Sequence, residues 1–300
     1  MRSATVPTGY AAASASERRF LPPAVAVSTV AFALQPPAEA RIADSDTGEG
    51  RSWAQTVAAA GGDAVTLWIP LVRRTRPPFA DCWALPGGPI PWDETLVDTA
   101  LRTLRAAVRR TPGYLEQLYS FGAVERSAEA QRLVTIAYWA LYGEDELASA
   151  VELAGAAEPA DTAADPDGPG DPHPAADDPG SDPNVAWFSA DRLPPLAFDH
   201  AEIVAYALTR LRLKTEYSAV AYRFLGETFT LAQLRAVTEA IRGHAVDPAN
   251  FRRQALAQGY LVDTGETQTG ARHRPARLYR FRTELFRTEL PNDQSEGTES

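Results

Sequence analysis

Apolar residues recur along this chain with two periods, and the changes of period mark its elements. Val25 to Leu34 is a run of branched and small apolar residues, which predicts a strand. Val65 to Val72 alternates and predicts a second strand; Pro70, lacking an N–H, places it near an edge or a bulge. From Glu94 to Arg110 the apolar residues Leu96, Val97, Ala100, Leu101, Leu104 and Val108 follow helical spacing, and Thr111-Pro112-Gly113 stops that helix. Leu115–Val124, Leu133–Tyr142 and Val185–Phe188 read as strands, and His200–Lys214 as a helix with Ile203, Tyr206, Ala207 and Leu211 inward. Phe229–Ile241 reads as a helix with Leu231, Leu234, Val237 and Ile241 on one face, ended by Gly243. Asp247 caps a second helix that has Pro248 at its first position and stops at Gly259. Two short strands, Tyr260–Val262 and Arg277–Phe281, close the pattern.

The polar stretches divide these elements into domains. Residues 1–22 and 289–300 read as disordered tails. Residues 35–63, rich in Pro, Ala, Gly and charge, read as a long loop. Residues 155–184, dominated by Asp, Pro, Gly and Ala, cannot bury enough apolar surface to offset their ordering entropy and read as disordered. Strands flank that acidic stretch, so it is an insertion within one domain of residues 23–200. Residues 201–288 form a second domain, whose helix, turn, helix and β-hairpin outline a winged helix-turn-helix. The fold class is α+β.

Composition is that of an ordinary globular protein, with 45% hydrophobic and 23% charged residues. No apolar run reaches the roughly 18 residues of a membrane span, and no apolar leader follows Met1. The single cysteine, Cys82, permits neither an internal disulfide nor a cysteine-built zinc site. A cytoplasmic location is therefore expected. The net charge of −10 is unevenly spread: eight acids and no Lys or Arg lie between Gly155 and Asn184. Beyond Asn250 the balance reverses, with Arg252, Arg253, Arg272, Arg274, Arg277, Arg280 and Arg282. Overall acidity thus does not exclude a nucleic-acid partner.

The chemistry concentrates between Gly87 and Arg110. Gly88, Glu94, Arg102 and Leu104 stand at the spacing of the Nudix box, G-x5-E-x7-R-E-U-x-E-E-x-G-U, which this stretch resembles. In that family the helix glutamates hold divalent cations through carboxylate oxygens, and the ions polarise a pyrophosphate and activate water. Here those positions are Thr103, Ala106 and Ala107, on one helix face by their spacing, so a hydroxyl and two methyls replace three carboxylates. No catalytic residue and no metal ligand is assigned. Arg73 and Arg74 suit phosphate bidentately. The run Leu71 to Phe79, followed by Trp83-Ala-Leu-Pro-Gly-Gly88, is similar to the strand and loop before the box in relatives of ADP-ribose pyrophosphatases. Candidate effector-binding residues are Arg73, Arg74, Trp83, Gly87, Gly88, Arg102, Phe121, Arg126 and Arg132. Trp83 and Phe121 fit core packing equally, and Arg102 fits pairing with an acid. Where the family carries Arg-Asp-Pro, this chain has Arg126-Ser-Ala-Glu129.

The second predicted helix exposes Asn250, Arg252, Arg253 and Gln254, donors suited to base edges and phosphates. Phe251, Ala255 and Leu256 would pack it onto its neighbour. Arg272, His273, Arg274 and Arg277 lie in the candidate wing, where guanidinium groups suit phosphate or the minor groove. The runs Leu193 to Ile203, Phe229 to Leu234, Asn250 to Arg253 and Arg274 to Phe281 follow a defective Nudix box in one chain. In that order they resemble the NrtR family of transcriptional regulators of NAD metabolism, from about Val25 to Phe281. The resemblance implies a Nudix-like α/β/α domain that binds ADP-ribose or a related NAD metabolite without cutting it. It also implies a homodimer on palindromic operator DNA, repression of NAD biosynthesis genes, and no cofactor. The competing expectation is a divergent Nudix hydrolase using Glu94, Glu125 and Glu129.

Overall fold

Strand β1 (Ala24–Ala33), buried over its last seven residues, is the centre from which the larger sheet grows. The computed structural model describes residues 23–43, 50–52, 65–124, 132–148, 182–217, 219–268 and 275–282. The expected tails and most of the acidic insertion lie outside them. The chain divides into two compact units, Met1–Leu211 and Arg212–Ser300.

In the first unit the strands are β1, β2 (Arg41–Ala43), β3 (Gly50–Ser52), β4 (Trp68–Arg73), β5 (Trp83–Ala84), β6 (Gly87–Pro89), β7 (Tyr114–Phe121), β8 (Leu133–Tyr142) and β9 (Val185–Ser189). They form one mixed sheet in the order β3-β2-β9-β4-β1-β8-β7, with β5 on β4 and β6 on β1. The β1–β8 and β2–β9 pairs are parallel. Two expectations change. Strands β2 and β3 arise within the stretch read as a loop. Their three-residue segments are too short to show a period, and β2 is recruited when Ile42 pairs with Trp187 of β9. Strand β4 lies inside the sheet, not at its edge. On one side it pairs with β1 at Trp68 and with β5 at Val72 and Arg73, leaving a gap at Pro70 that suits a residue without an N–H.

Helix α1 (Leu96–Val108) starts at a capping box: Asp98 N–H donates to Thr95 Oγ1, and Asp98 Oδ2 accepts from Thr95 N–H. It ends where Arg109 turns left-handed at φ 59°. Its buried face is Thr99, Ala100, Thr103, Leu104, Ala107 and Val108, against β1 and β4. Val97, expected inward, is exposed, because one turn later the buried stripe is built from threonine and alanine. A short helix α2 (Glu144–Ala148) follows β8. In α3 (His200–Tyr217), Ile203, Ala207 and Leu211 are fully buried. Tyr206, also expected inward, sits on the flank, its ring stacked 5.2 Å from Tyr119. Among the described residues no helix is long and apolar enough to cross a membrane.

The second unit holds a 3-10 turn (Ala219–Phe224), β10 (Thr228–Thr230), α4 (Leu231–Arg242), α5 (Pro248–Ala257), β11 (Leu261–Thr267) and β12 (Arg277–Phe281). The helix expected from Phe229 starts two residues later. Phe229 pairs with Tyr279 in the β10-β12-β11 sheet, and Thr230 ends the strand by capping α4 with Gln233. Leu234, Val237 and Ile241 form the buried face, and Gly243 closes α4 at φ 73°. Two helices followed by a β-hairpin make a winged helix-turn-helix, and the α+β expectation holds.

Candidate effector cavity and nucleic-acid interface

The first unit contains a cavity of about 460 Å³ between the end of β4, the β5–β6 turn and α1. Strand β4 and the segment after it supply Arg73, Arg74, Thr75 and Arg76; α1 supplies Arg102, Thr103, Ala106 and Ala107. Leu85, Pro86 and Gly87 form another wall, and Asp182 and Val185 close the margin. Four arginines and one aspartate thus line a small volume. Thr103 turns its hydroxyl to Ala100 O (3.0 Å), so the helix face presents methyl groups.

Arg73 and Arg102 are held by acids. Arg73 Nη2 lies 3.0 Å from Asp81 Oδ1, with both side chains exposed. Arg102 Nε donates to Glu94 Oε1 (2.6 Å), while Thr99 Oγ1 donates to Glu94 Oε2 (2.9 Å). The Arg102 hydrogen bond is the largest influence on Glu94 and holds its carboxyl below the ordinary value. Both oxygens of this box carboxylate are therefore occupied. Among the described residues no three or more His, Cys, Asp or Glu side chains gather as a metal ion would require. The donors do not fit the divalent cation that the box implies.

The remaining expected residues sit elsewhere. Trp83 pairs with Arg73 in the ladder and packs edge-on to Phe188 at 5.0 Å, beside the cavity but not lining it. Gly88 pairs with Val27. Gly87 does line the cavity, and its lack of a side chain has a local cause: a Cβ there would lie 2.3 Å from Val27 O. Phe121 is buried beside Tyr119 and Tyr206, and Arg132 donates to Gly122 O (2.9 Å); neither reaches the cavity. Arg126, Glu125 and Glu129 lie outside the described residues. Thr75, Arg76 and Asp182 escaped the sequence reading. So did His200, whose Nδ1 accepts from the Leu85 N–H (3.0 Å) in the cavity wall.

In the second unit Asp247 caps α5 by accepting from Asn250 N–H (2.8 Å). Asn250, Arg252, Arg253 and Gln254 are all exposed, and Arg253 Nη2 donates to Asn250 Oδ1 (2.7 Å). Asn250 and Gln254 also border a second cavity of about 250 Å³ with Thr238 and Arg242 of α4. Ala255 is buried and Phe251 half-buried, as expected, but Leu256 is 42% exposed. Phe251 and Ala255 share a face four residues apart, whereas Leu256 falls on the face of Arg252. In the wing, Arg277 Nη1 meets Asp263 Oδ2 at 2.6 Å. The Gly265 N–H and then Arg277 hold the Asp263 carboxyl low, and Asp263 raises Arg277 in return. Arg272, His273 and Arg274 lie outside the described residues.

Comparison with known proteins follows this division. Residues 221–281 match the family model of the NrtR DNA-binding winged helix domain. The chain is 28% identical over 233 residues to the ADPR responsive transcriptional repressor NtrR of Acinetobacter baylyi, covering 76% of this chain and 81% of that protein. It is similar to the crystal structure of Shewanella oneidensis NrtR, with 30% identity, a TM-score of 0.58, and 87% of this chain and 94% of that one covered. A structure of that protein complexed with a 27mer DNA matches at 28% identity over the same shares, also with a TM-score of 0.58. A MutT/nudix family protein from Enterococcus faecalis shares the fold at 23% identity and a TM-score of 0.53, covering 91% of this chain and 95% of that one.

Proposed function

We infer the function of this chain from its family: it belongs to the NrtR transcriptional regulators, which join a Nudix-like domain to a winged helix. It is a ligand-responsive, DNA-binding regulator. We propose that the arginine-lined cavity takes ADP-ribose as the effector and that the protein is a repressor that acts as a homodimer on a palindromic operator. The observation that carries this reading is a cavity lined by four arginines and by a helix face without carboxylates. Arginine suits the oxygens of a pyrophosphate, while Thr103, Ala106 and Ala107 offer nothing to hold the metal that hydrolysis needs. The effector is therefore bound and released intact, without a divalent cation.

The response requires that ADP-ribose bind one conformation of the protein better than the other, since a ligand shifts an equilibrium only by differential affinity. Arg252, Arg253, Asn250 and Gln254 on α5 are the proposed base and phosphate contacts, joined by Arg272, His273, Arg274 and Arg277 of the wing. A gel shift on DNA upstream of the protein's own gene, with and without ADP-ribose, tests the reading. The expected result is a specific complex that ADP-ribose dissolves, with no AMP released in the presence of Mg2+. A complex indifferent to ADP-ribose removes the sensor assignment; AMP release restores the hydrolase reading.

A further inference from the structure

Between β9 and α3 the chain runs through Leu196 to His200, fastened at one end to Trp83, beside the cavity, and at the other to Leu85, in its wall. Leu196 bridges Trp83, Ala197 N–H donates to Trp83 O (2.8 Å), and His200 Nδ1 accepts from Leu85 N–H (3.0 Å). Phe198 lies between these ties in the left-handed region, at φ 56°, and its ring meets Phe79, itself at φ 63°, edge-on at 4.8 Å. L residues with large side chains rarely adopt that backbone, and both rings are exposed, by 38% and 47%. Two phenylalanines held out of the core in this way invite a role.

The role is visible in Arg74. Its Cζ lies 4.7 Å above the centre of the Phe198 ring, and its Nε donates to Pro78 O (2.9 Å). Arg73 and Arg102 are oriented by carboxylates, which neutralise part of the charge a ligand would meet. The groups that orient Arg74 are neutral: a π face and the backbone carbonyls of Pro78 and, at 3.4 Å from Nη2, Arg76. Without them a cation flanked by like charges would swing toward water.

We propose that Phe198 is a positioning residue that presents Arg74, with its charge unspent, to the anionic effector. The proposal rests on reading this cavity as the ADP-ribose site. The face of a phenyl ring attracts a guanidinium, and that contact together with the carbonyl of Pro78 holds the fork that a phosphate accepts. Leucine keeps an apolar side chain, smaller than the ring and without a π face, whereas tyrosine retains the π face.

Calorimetric titration of the full chain with ADP-ribose, and separately with inorganic pyrophosphate, tests this. F198L is expected to weaken both ligands about three- to fivefold, in line with an exposed cation–π contact. F198Y should stay within about twofold of the unaltered protein, and F198L should cost less than about twofold in an R74A background, where no cation remains over the ring. Unaltered affinity in F198L, or an equal loss with and without Arg74, overturns the proposal. If F198L fails to fold by circular dichroism, Phe79→Leu takes its place; it leaves the ring under Arg74 but removes its brace, and should weaken ADP-ribose about twofold only when Arg74 is present. An unaltered protein that binds neither ADP-ribose nor pyrophosphate removes the cavity reading itself, an outcome distinct from a silent F198L.

Discussion

Ala106 is the residue at which this cavity departs most simply from a hydrolase. It is exposed on α1 and lines the cavity together with Arg73, Arg74, Arg76 and Arg102. Ala106→Glu would place a carboxylate among them and neutralise charge intended for the effector. We expect ADP-ribose to bind about tenfold more weakly, or ~1.4 kcal/mol, measured by calorimetry without divalent metal; unaltered affinity would mean that the arginines do not bind the pyrophosphate. His200 makes a second residue-scale case. His200→Leu leaves the buried Leu85 N–H without its acceptor and should cost about 1–3 kcal/mol by urea unfolding, while His200→Gln, which keeps an acceptor, should cost less. The two cases also differ in legibility. Arg73, Arg74 and Arg102 stand out in the sequence because phosphate chemistry and box spacing single them out. Phe198 and His200 do not, because a ring contact with Arg74 and a hydrogen bond to a residue 115 positions away leave no local pattern.

At the scale of the element, α1 and α5 are readable because their signals are local. Asp247 before Pro248 is a cap written in consecutive residues, and the structure starts α5 there; the helix expected from Glu94 starts two residues later, behind the Thr95–Asp98 capping box. What sequence misses is what only a partner creates. Strand β2 exists through β9, and Leu256 is placed outward by the turn of α5 despite its apolar side chain. Removing a local signal should therefore have a local effect: Asp247→Ala is expected to lower stability by about 1 kcal/mol and to weaken operator binding through the helix that carries Arg252 and Arg253. Thermal melting and a gel shift measure the two effects. The 3-10 turn offers a sharper test. Burial, and then the Tyr260 phenol, push the Tyr222 phenol from 10.0 up to about 12. Its ring packs 4.2 Å from Phe281 of the wing. The fold favours the neutral phenol, so its contribution is complete below pH 10 and is lost as pH rises from 10 to 12. The unaltered protein should lose roughly 2 kcal/mol relative to Tyr222→Phe over that window. Parallel pH profiles of the two proteins, read by denaturant midpoint, would contradict the assignment.

Across the whole molecule, a net charge of −10 coexists with DNA binding because the charge is segregated. Affinity for a duplex depends on the cations that reach phosphates, and each such contact contributes to the salt dependence of binding, whereas total charge does not. Substituting Arg252 or Arg253 by alanine should lower the slope of log K against log salt by about one if the side chain meets a phosphate. A loss of sequence preference at unchanged slope would assign it to a base edge instead. The acidic stretch then becomes a test of range. Deleting residues 155–181 removes seven acids and no Lys or Arg, raising the formal net charge from −10 to −3. The deletion stops short of Asp182, which lines the cavity, and Pro183, whose carbonyl accepts from Arg41 Nη1 (2.9 Å). Beyond about 8 Å, exposed charges are largely screened at physiological salt. If the stretch acts on the duplex only from beyond that distance, operator affinity there should change by less than about threefold, with the slope intact and a larger gain in affinity confined to low salt. A slope that steepens on deletion would show instead that the acids compete with DNA for the arginines of α5 and the wing. Overall acidity would then set the operator affinity, through competition inside the protein rather than through repulsion at a distance.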